Sequence, residues 1–321
     1  MSLLAGDIGG TKTLLGLQAT LGTFTHVREY RNADFTGLDA ILQDYVQHTG
    51  IATGNHLHLV LAVAGPVDQN RCQLTNLPWL IEPSALQARF RFTTVQLLND
   101  LEATGWAMPG LAQRGKFISL RGDIDFRRPV VVISMGTGLG EAALLPSRNG
   151  GRRVLASEGG HKQFAPFNAR SAALLQQAFA VGHNGISWEN WFSGSGLPKL
   201  FQALFPEMMA PDSKTITTLA QTQPDSSEGQ CVELLVQGLM SEAGNLALQY
   251  LAWGGVIFAG GVAQYLLPYL RNPDLQSWLQ RKSDHQARLQ STPIALCTDT
   301  AAAMQGAADF YWHQQERGNP V

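Results

Sequence analysis

The sequence predicts an α/β fold, and three observations carry that reading. Apolar strand-like runs alternate along the chain with segments of helical apolar spacing. Three Gly-rich turns each follow such a run directly: Gly6-Asp7-Ile8-Gly9-Gly10-Thr11, Gly136-Thr137-Gly138-Leu139-Gly140, and Gly260-Gly261. The order strand, Gly turn, strand occurs twice, near residues 2–19 and 130–145, which reads as an internal duplication. A length of 321 residues suits two domains that each bury a core.

Residues 3–5, 13–19 and 24–30 read as consecutive strands joined by tight turns. Leu38, Ile41, Leu42, Tyr45 and Val46 fall at helical spacing within 38–48. Residues 57–64 are almost wholly apolar and close on Gly65-Pro66, as a buried strand does. Residues 95–98 form another strand, which ends at Asn99-Asp100, and a helix follows with Asp100 near its N-terminus. Pro109, Gly110 and Gly115 mark a crossover within 104–115. Domains are therefore expected at 1–109 with 302–321, and at 110–301. Strands resume over 129–134, 140–145 and 153–156. Helices are expected at 169–181, 197–205 and 228–252, the last with Cys231, Leu234, Leu235, Leu239, Leu246 and Tyr250 on one broad face. The polar stretch 222–229 reads as an exposed loop. Short buried strands at 256–259 and 293–297 precede a closing helix over 300–314, placed to return to the first domain.

Composition excludes several function classes. Lys plus Arg total 23 against 25 for Asp plus Glu, so the charge balance favours neither nucleic acid nor an anionic membrane as partner. The three cysteines lie far apart without a CxxC pair, which argues against a disulfide framework or structural zinc and fits the reducing cytoplasm. No basic stretch precedes the first strand-like run, so no secretory leader is expected, and no apolar run is long enough to span a bilayer.

The first turn is not a P-loop: Thr11 stands where the second glycine belongs, and residues 14–17 continue as strand instead of opening a helix. The glycines at 136, 138 and 140 lack the dinucleotide-binding spacing, and a strand follows them too. What remains is hairpin turns whose amides can approach phosphate oxygens because no Cβ intervenes; the alternative is a hairpin that uses glycine for its turn alone. Asp7, at the end of a buried strand, is costly unless it serves donors or a cation, and Mg²⁺ held through water is such a use. Asp100 has two readings, helix cap and general base. Glu158 and His161 flank two glycines and read either as a solvated loop or as convergent polar groups that donate and accept in fixed directions. Glu189, between Trp188 and Asn190-Trp191, reads either as one of that set or as an exposed helix turn. Asn76 and Trp79 read as support for a pocket, with Trp79 in the core, and His183, His285 and His313 have no motif context.

With these turns and the Asn99-Asp100 pair in hand, the chain resembles the bacterial glucokinases, relatives of hexokinases, actin and the heat-shock chaperone ATPases. The resemblance runs nearly end to end, through Gly6 to Thr11, Ala64-Gly65-Pro66, Thr75 to Trp79, Leu98-Asn99-Asp100, Gly136 to Gly140, Glu158-Gly159-Gly160-His161, Ser193-Gly194-Ser195-Gly196-Leu197 and Ala259-Gly260-Gly261. It implies two actin-like, ribonuclease H-like domains with a cleft between them. It implies transfer of the γ-phosphoryl group of MgATP to the 6-hydroxyl of D-glucose, with Asp100 as base and Asn99, Asp100, Glu158, His161 and Glu189 on the sugar. Gly6, Asp7, Ile8, Gly9, Gly10 and Thr11 would flank the phosphates together with Gly136, Thr137 and Gly138, while Gly260 and Gly261 would lie by the adenosine. ATP and Mg²⁺ are the implied cofactors, and the implied assembly is a homodimer. Three departures stand out: Lys12 after the first turn, Glu141 beside the second, and Ser195 where proline is common. Lys12 and Glu141 bear on nucleotide affinity. The cysteine-rich zinc motif of the repressor–open-reading-frame–kinase group is missing. A kinase for another hexose or another donor, and a non-catalytic sugar sensor on the same fold, are the alternatives.

Overall fold

The computed structural model describes residues 2–54, 56–75, 77–147 and 151–317, so Asn76 lies outside the described residues. Backbone contacts divide the chain into two compact units, Met1–Arg114 with Ala301–Val321, and Gly115–Thr300.

In the first unit, β1 (Ser2–Ile8), β2 (Lys12–Gln18), β3 (Thr25–Arg31), β4 (Leu57–Val63) and β7 (Val95–Asn99) form one sheet in the order β3-β2-β1-β4-β7. A small ribbon of β5 (Cys72–Gln73) and β6 (Leu80–Ile81) lies apart from it. The hairpins β1–β2 and β2–β3 are antiparallel, and β4 runs parallel to both β1 and β7. β4 is buried at every position, which explains its unbroken apolar run. Alternate residues face opposite sides. Leu4, Ile8, Leu59, Leu61 and Val63 pack with Ile41, Leu42 and Tyr45 of α1 (Leu38–Thr49). Leu3, Ala5, Val60 and Ala62 pack instead with Ala103, Met304, Ala307 and Tyr311. Those last residues belong to α3 (Asp100–Gln113) and to the C-terminal helix (Ala302–Glu316). The short α2 (Pro83–Phe90) leads into β7, and Trp79 lies in the core with Leu86 and Phe90.

The division between units falls after Arg114, within the expected span 104–115, but most of that span is helix: α3 runs through Pro109 and Gly110 to Gln113. Pro109 removes one ladder donor, but the packing of α3 outweighs that loss. Its small residues let the C-terminal helix come close: a Cβ on Gly110 would stand 2.8 Å from Asp309 Oδ2, and one on Gly306 would collide with the Ala103 carbonyl.

In the second unit the sheet order is β11-β10-β9-β12-β13-β8. The strands are β8 (Phe117–Arg121), β9 (Val130–Met135), β10 (Leu139–Pro146), β11 (Arg152–Ser157), β12 (Gly255–Ala259) and β13 (Ile294–Cys297). From β11 to β13 the order and the antiparallel, antiparallel, parallel, parallel pairing repeat those of the first sheet. The duplication read from the sequence is thus a duplication of topology, with β8 added at one edge against β13. The helices are α4 (Ala169–Ala180), α5 (Trp188–Trp191), α6 (Leu197–Leu204), α7 (Ser213–Thr222), α8 (Ser227–Gln249) and the short α9 (Gly261–Tyr265), α10 (Leu267–Leu270), α11 (Pro273–Gln276) and α12 (Gln286–Gln290). α8 supplies Cys231, Leu235, Leu239, Ala243 and Leu246 to the main core cluster. The expected loop over 222–229 is shorter, because Ser226 caps α8 by accepting the Gly229 amide at 3.1 Å. No described helix is long and apolar enough to cross a membrane.

Candidate active site

β1 extends to Ile8, so Gly6, Asp7 and Ile8 belong to the strand and the turn proper is Gly9-Gly10-Thr11. Packing explains Gly6: a Cβ there would stand 2.7 Å from Leu15 Cδ2 and 2.8 Å from Leu61 Cδ2. The turn closes through the Gly9 amide, which donates to the Lys12 carbonyl at 3.0 Å. Asn32, 1% exposed at the end of β3, holds it from behind. Its Nδ2 donates to the Gly9 carbonyl at 2.8 Å, its backbone amide donates to the Thr11 carbonyl at 3.0 Å, and its Oδ1 accepts from the Thr13 hydroxyl at 2.8 Å. With those carbonyls engaged and the Gly9 amide on Lys12, the amides of Gly10 and Thr11 are the ones suited to an anion. Sequence reasoning missed Asn32, and no local signal marks it, because its partners lie 19 and 23 positions away.

Asp7 is partly accessible, but the protein around it strips its hydration and pushes its pKa up to about 6, against a smaller opposing pull from Lys12. An under-solvated carboxylate of this kind fits a cation that would restore the lost solvation. Lys12 itself pairs with Glu29 on β3, Nζ to Oε2 at 2.8 Å, on the exposed face of the sheet.

At the end of β7 the capping residue is Asn99, not Asp100. Asn99 Oδ1 accepts from the Leu101 amide at 2.9 Å and the Glu102 amide at 3.3 Å, and its Nδ2 donates to the Gly65 carbonyl at 3.2 Å. Asn99 keeps extended ψ of 145° while the helix begins at the next residue, so the cap position falls one residue earlier than Asp100. Asp100 is therefore the first residue of α3, where its Oδ1 accepts from the Leu101 amide at 2.9 Å. Its charge is felt at Cys72, whose thiol is pushed up to about 11 by burial first and by Asp100 second.

In the second unit, Glu158 precedes the 3₁₀ turn Gly159–His161, and both Glu158 and Glu189 approach the His161 ring. His161 Nε2 lies 3.8 Å from Glu158 Oε2 and 3.9 Å from Glu189 Oε1. Glu158 and His161 have side chains 63% and 56% exposed, so a ligand can reach them, while Glu189 is at 27%. Glu189 is not an exposed helix turn. Trp188 and Trp191 are buried on either side of it, and Ser187 and Asn190 cap α5 reciprocally, which directs Glu189 onto the second Gly turn. There its Oε2 accepts from the Leu139 amide at 2.9 Å, and a Cβ on Gly138 would stand only 2.5 Å from the same oxygen.

That turn is braced by a second loop. The Gly136 amide donates to the Gly138 carbonyl at 3.0 Å, the Gly194 amide to the Gly136 carbonyl at 2.9 Å, and the Ser195 amide to the Thr137 carbonyl at 3.0 Å. The departure at residue 195 has a physical consequence: serine keeps an N–H for this bond that proline lacks. Gly260, at φ 91°, ends β12 against Met135, where a Cβ would collide with the Met135 carbonyl. Gly136 and Gly261 differ from these, since a Cβ on either meets nothing within 4 Å. Packing gives no reason for glycine at those two positions. Glu141, by contrast, does not face a nucleotide. It is 1% exposed and turned into the unit, with Oε2 on the Lys162 ammonium at 2.8 Å. Burial, opposed by Lys162, holds its pKa above the usual carboxylate range. Lys162 was overlooked in the sequence, where it is one more lysine after His161.

The model of the family described as Glucokinase matches residues 4–314 of this chain. The glucokinase of Synechocystis sp. is 30% identical, with 96% of this chain and 97% of that protein covered. Among solved structures, a glucokinase from an Antarctic psychrotroph superposes with a TM-score of 0.83 at 28% identity, covering 96% of this chain and 98% of its own. A ROK family glucokinase from Streptomyces griseus, in complex with glucose and AMPPNP, shares the fold with a TM-score of 0.65 at 20% identity, covering 97% of this chain and 99% of its own. The fold is the actin-like α/β fold that the resemblance implied.

Proposed function

The chain belongs to the glucokinase family of sugar kinases, and on that premise we propose that it transfers the γ-phosphoryl group of MgATP to the 6-hydroxyl of D-glucose. One observation carries the choice of substrate: Glu158, His161 and Glu189 converge on one accessible spot, His161 Nε2 within 3.9 Å of a carboxylate oxygen from each glutamate. Carboxylates accept from paired hydroxyls and an imidazole both donates and accepts, so the set reads a polyol and gives little purchase to a purely anionic ligand. The solved relative that holds glucose and AMPPNP together supports the same pair of substrates.

In this reading Asn99 and Asp100 contact the sugar, and Asp100 accepts the 6-hydroxyl proton as that oxygen attacks the γ-phosphorus and the bond to the ADP oxygen breaks. The amides of Gly10 and Thr11 and of Thr137 and Gly138 donate to phosphate oxygens, with Gly9 and Gly136 shaping the two turns, and Gly260-Gly261 admits the adenosine. Mg²⁺ supplies charge neutralisation on the triphosphate, and Asp7 would hold it through water. The reading includes a cytoplasmic homodimer.

A coupled assay of hexose phosphorylation across several sugars and phosphoryl donors tests the activity. Asp100→Ala is expected to lower kcat by on the order of 10³-fold while calorimetry still shows glucose binding. Near wild-type turnover in that variant would remove Asp100 as the base, and a preference for another hexose would remove glucose as the substrate.

A further inference from the structure

The 3₁₀ turn that carries His161 has little of its own to hold it. Its bonds are His161 N–H to the Glu158 carbonyl at 3.0 Å and Lys162 N–H to the Gly159 carbonyl at 3.1 Å, and so short a 3₁₀ segment is weak in isolation. Yet the turn lies tightly on β10. A Cβ on Gly159 would collide with the Glu141 carboxylate, and one on Gly160 with the Leu139 carbonyl.

The next residue explains why it stays there. The Lys162 ammonium reaches into the unit and bonds Glu141 Oε2 of β10 at 2.8 Å, and it also pairs with Glu242 Oε1 of α8. Both carboxylates are 1% exposed. Glu242 Oε2 accepts from Asn245 Nδ2 at 2.9 Å, and Lys282, bonded to Ser241 Oγ at 3.0 Å, also feels the Glu242 charge. Burial pulls the Lys162 pKa down, but its two carboxylate partners together hold it above the usual lysine range, so it stays charged. The Lys162 backbone carbonyl meanwhile accepts from the Trp188 amide at 3.1 Å, at the start of the helix that carries Glu189.

We propose that Lys162 is a positioning residue for sugar recognition, a strap whose ammonium ties the Glu158–His161 turn to β10 and α8 and whose carbonyl ties that turn to the helix bearing Glu189. The inference rests on the reading of Glu158, His161 and Glu189 as the glucose-contacting set. A buried ion pair contributes little net stability compared with neutral groups of the same shape. What it supplies here is direction: one anchor sets the position of three side chains that must agree in space to read a sugar.

Removing Lys162 alone would leave two carboxylates buried together, so the decisive variant is the neutral triple E141Q/K162M/E242Q in the full chain. Calorimetry with glucose and steady-state kinetics in both substrates are the measurements. The strap predicts a folded variant whose glucose Kd and KM rise on the order of tenfold, with KM for ATP and kcat little changed, while the single variant K162R, which keeps a cation for both carboxylates, stays close to the wild type. A folded triple variant with unchanged glucose affinity overturns the proposal. So does one in which kcat and both KM values deteriorate together, since that marks general loosening. H161A measured alongside separates the two levels. If it leaves glucose affinity intact, the reading of the cluster fails. If it weakens glucose while the triple variant does not, only the strap fails.

Discussion

The side-chain amide of Asn32 donates to the carbonyl of Gly9 at 2.8 Å, joining the end of β3 to the first Gly turn from 23 residues away. Its side-chain oxygen accepts from the Thr13 hydroxyl and its backbone amide donates to the Thr11 carbonyl, so one buried asparagine sets the shape of the turn. Asn32→Ala orphans a buried hydroxyl and a carbonyl, at an expected cost of about 1–3 kcal/mol in urea denaturation. KM for ATP is expected to rise on the order of tenfold, with KM for glucose nearly constant. A variant with unchanged KM for ATP would show that the turn keeps its shape without this brace.

Asn99 serves both as the cap of α3 and, in the proposed reaction, as a sugar contact. Serine caps as well as asparagine, while alanine loses about 1 kcal/mol. Asn99→Ser is therefore expected to retain wild-type stability but to lose the amide, and with it glucose affinity, whereas Asn99→Ala loses both. Full glucose affinity in Asn99→Ser would reduce Asn99 to a cap.

Two glycines of the second unit separate ligand contact from packing. At Gly136 a Cβ meets nothing within 4 Å, so Gly136→Ala is expected to change stability by no more than about 0.5 kcal/mol while weakening ATP. At Gly160 a Cβ strikes the Leu139 backbone carbonyl, which cannot give way as a side chain can, and Gly160→Ala is expected to cost about 1–3 kcal/mol. Thermal melts and KM for ATP distinguish the two. Equal destabilisation by both substitutions would contradict this division.

Asp7 carries a pH dependence of definite sign. Its folded pKa of about 6 lies above the ordinary 3.8, so the folded state binds this proton more tightly than the unfolded chain does. Its contribution to stability is therefore fully present below the unfolded value of 3.8 and is lost as pH rises through the folded value of about 6, by up to about 3 kcal/mol in all. In the absence of nucleotide and Mg²⁺, Asp7→Asn is expected to flatten the fall in urea midpoint between pH 4 and 6 and to be the more stable protein at pH 7. A slope that survives the substitution would assign it to other groups.

Much of the fold was legible because its signals are local. The apolar run of β4, the Gly turns after β1 and β9, and the helical spacing of α1 and α8 each lie within a few residues, and each element is found within a few residues of where it was read. The repeated strand, turn, strand order pointed to a duplication that the two sheets realise in full. Local signals misled where packing overrode them. Pro109 and Gly110 read as a break, but burial of α3 against the C-terminal helix keeps them helical. β8, half-buried at a sheet edge, carries no run or alternation strong enough to be read.

The amino-acid sequence by itself determined the α/β class, the Gly turns and the residue types of the site, because backbone propensity, apolar periodicity and the lack of a Cβ act over a few neighbouring positions. Only the tertiary structure decided which groups those residues meet. Asn99 caps the helix in place of Asp100, Glu141 turns inward to Lys162, Glu189 turns onto Gly138, and Asn32 reaches back to Gly9. Each of these is a hydrogen bond or ion pair whose direction is set by the packing of elements distant in the chain or by the turn of a single ψ, and no local pattern encodes either.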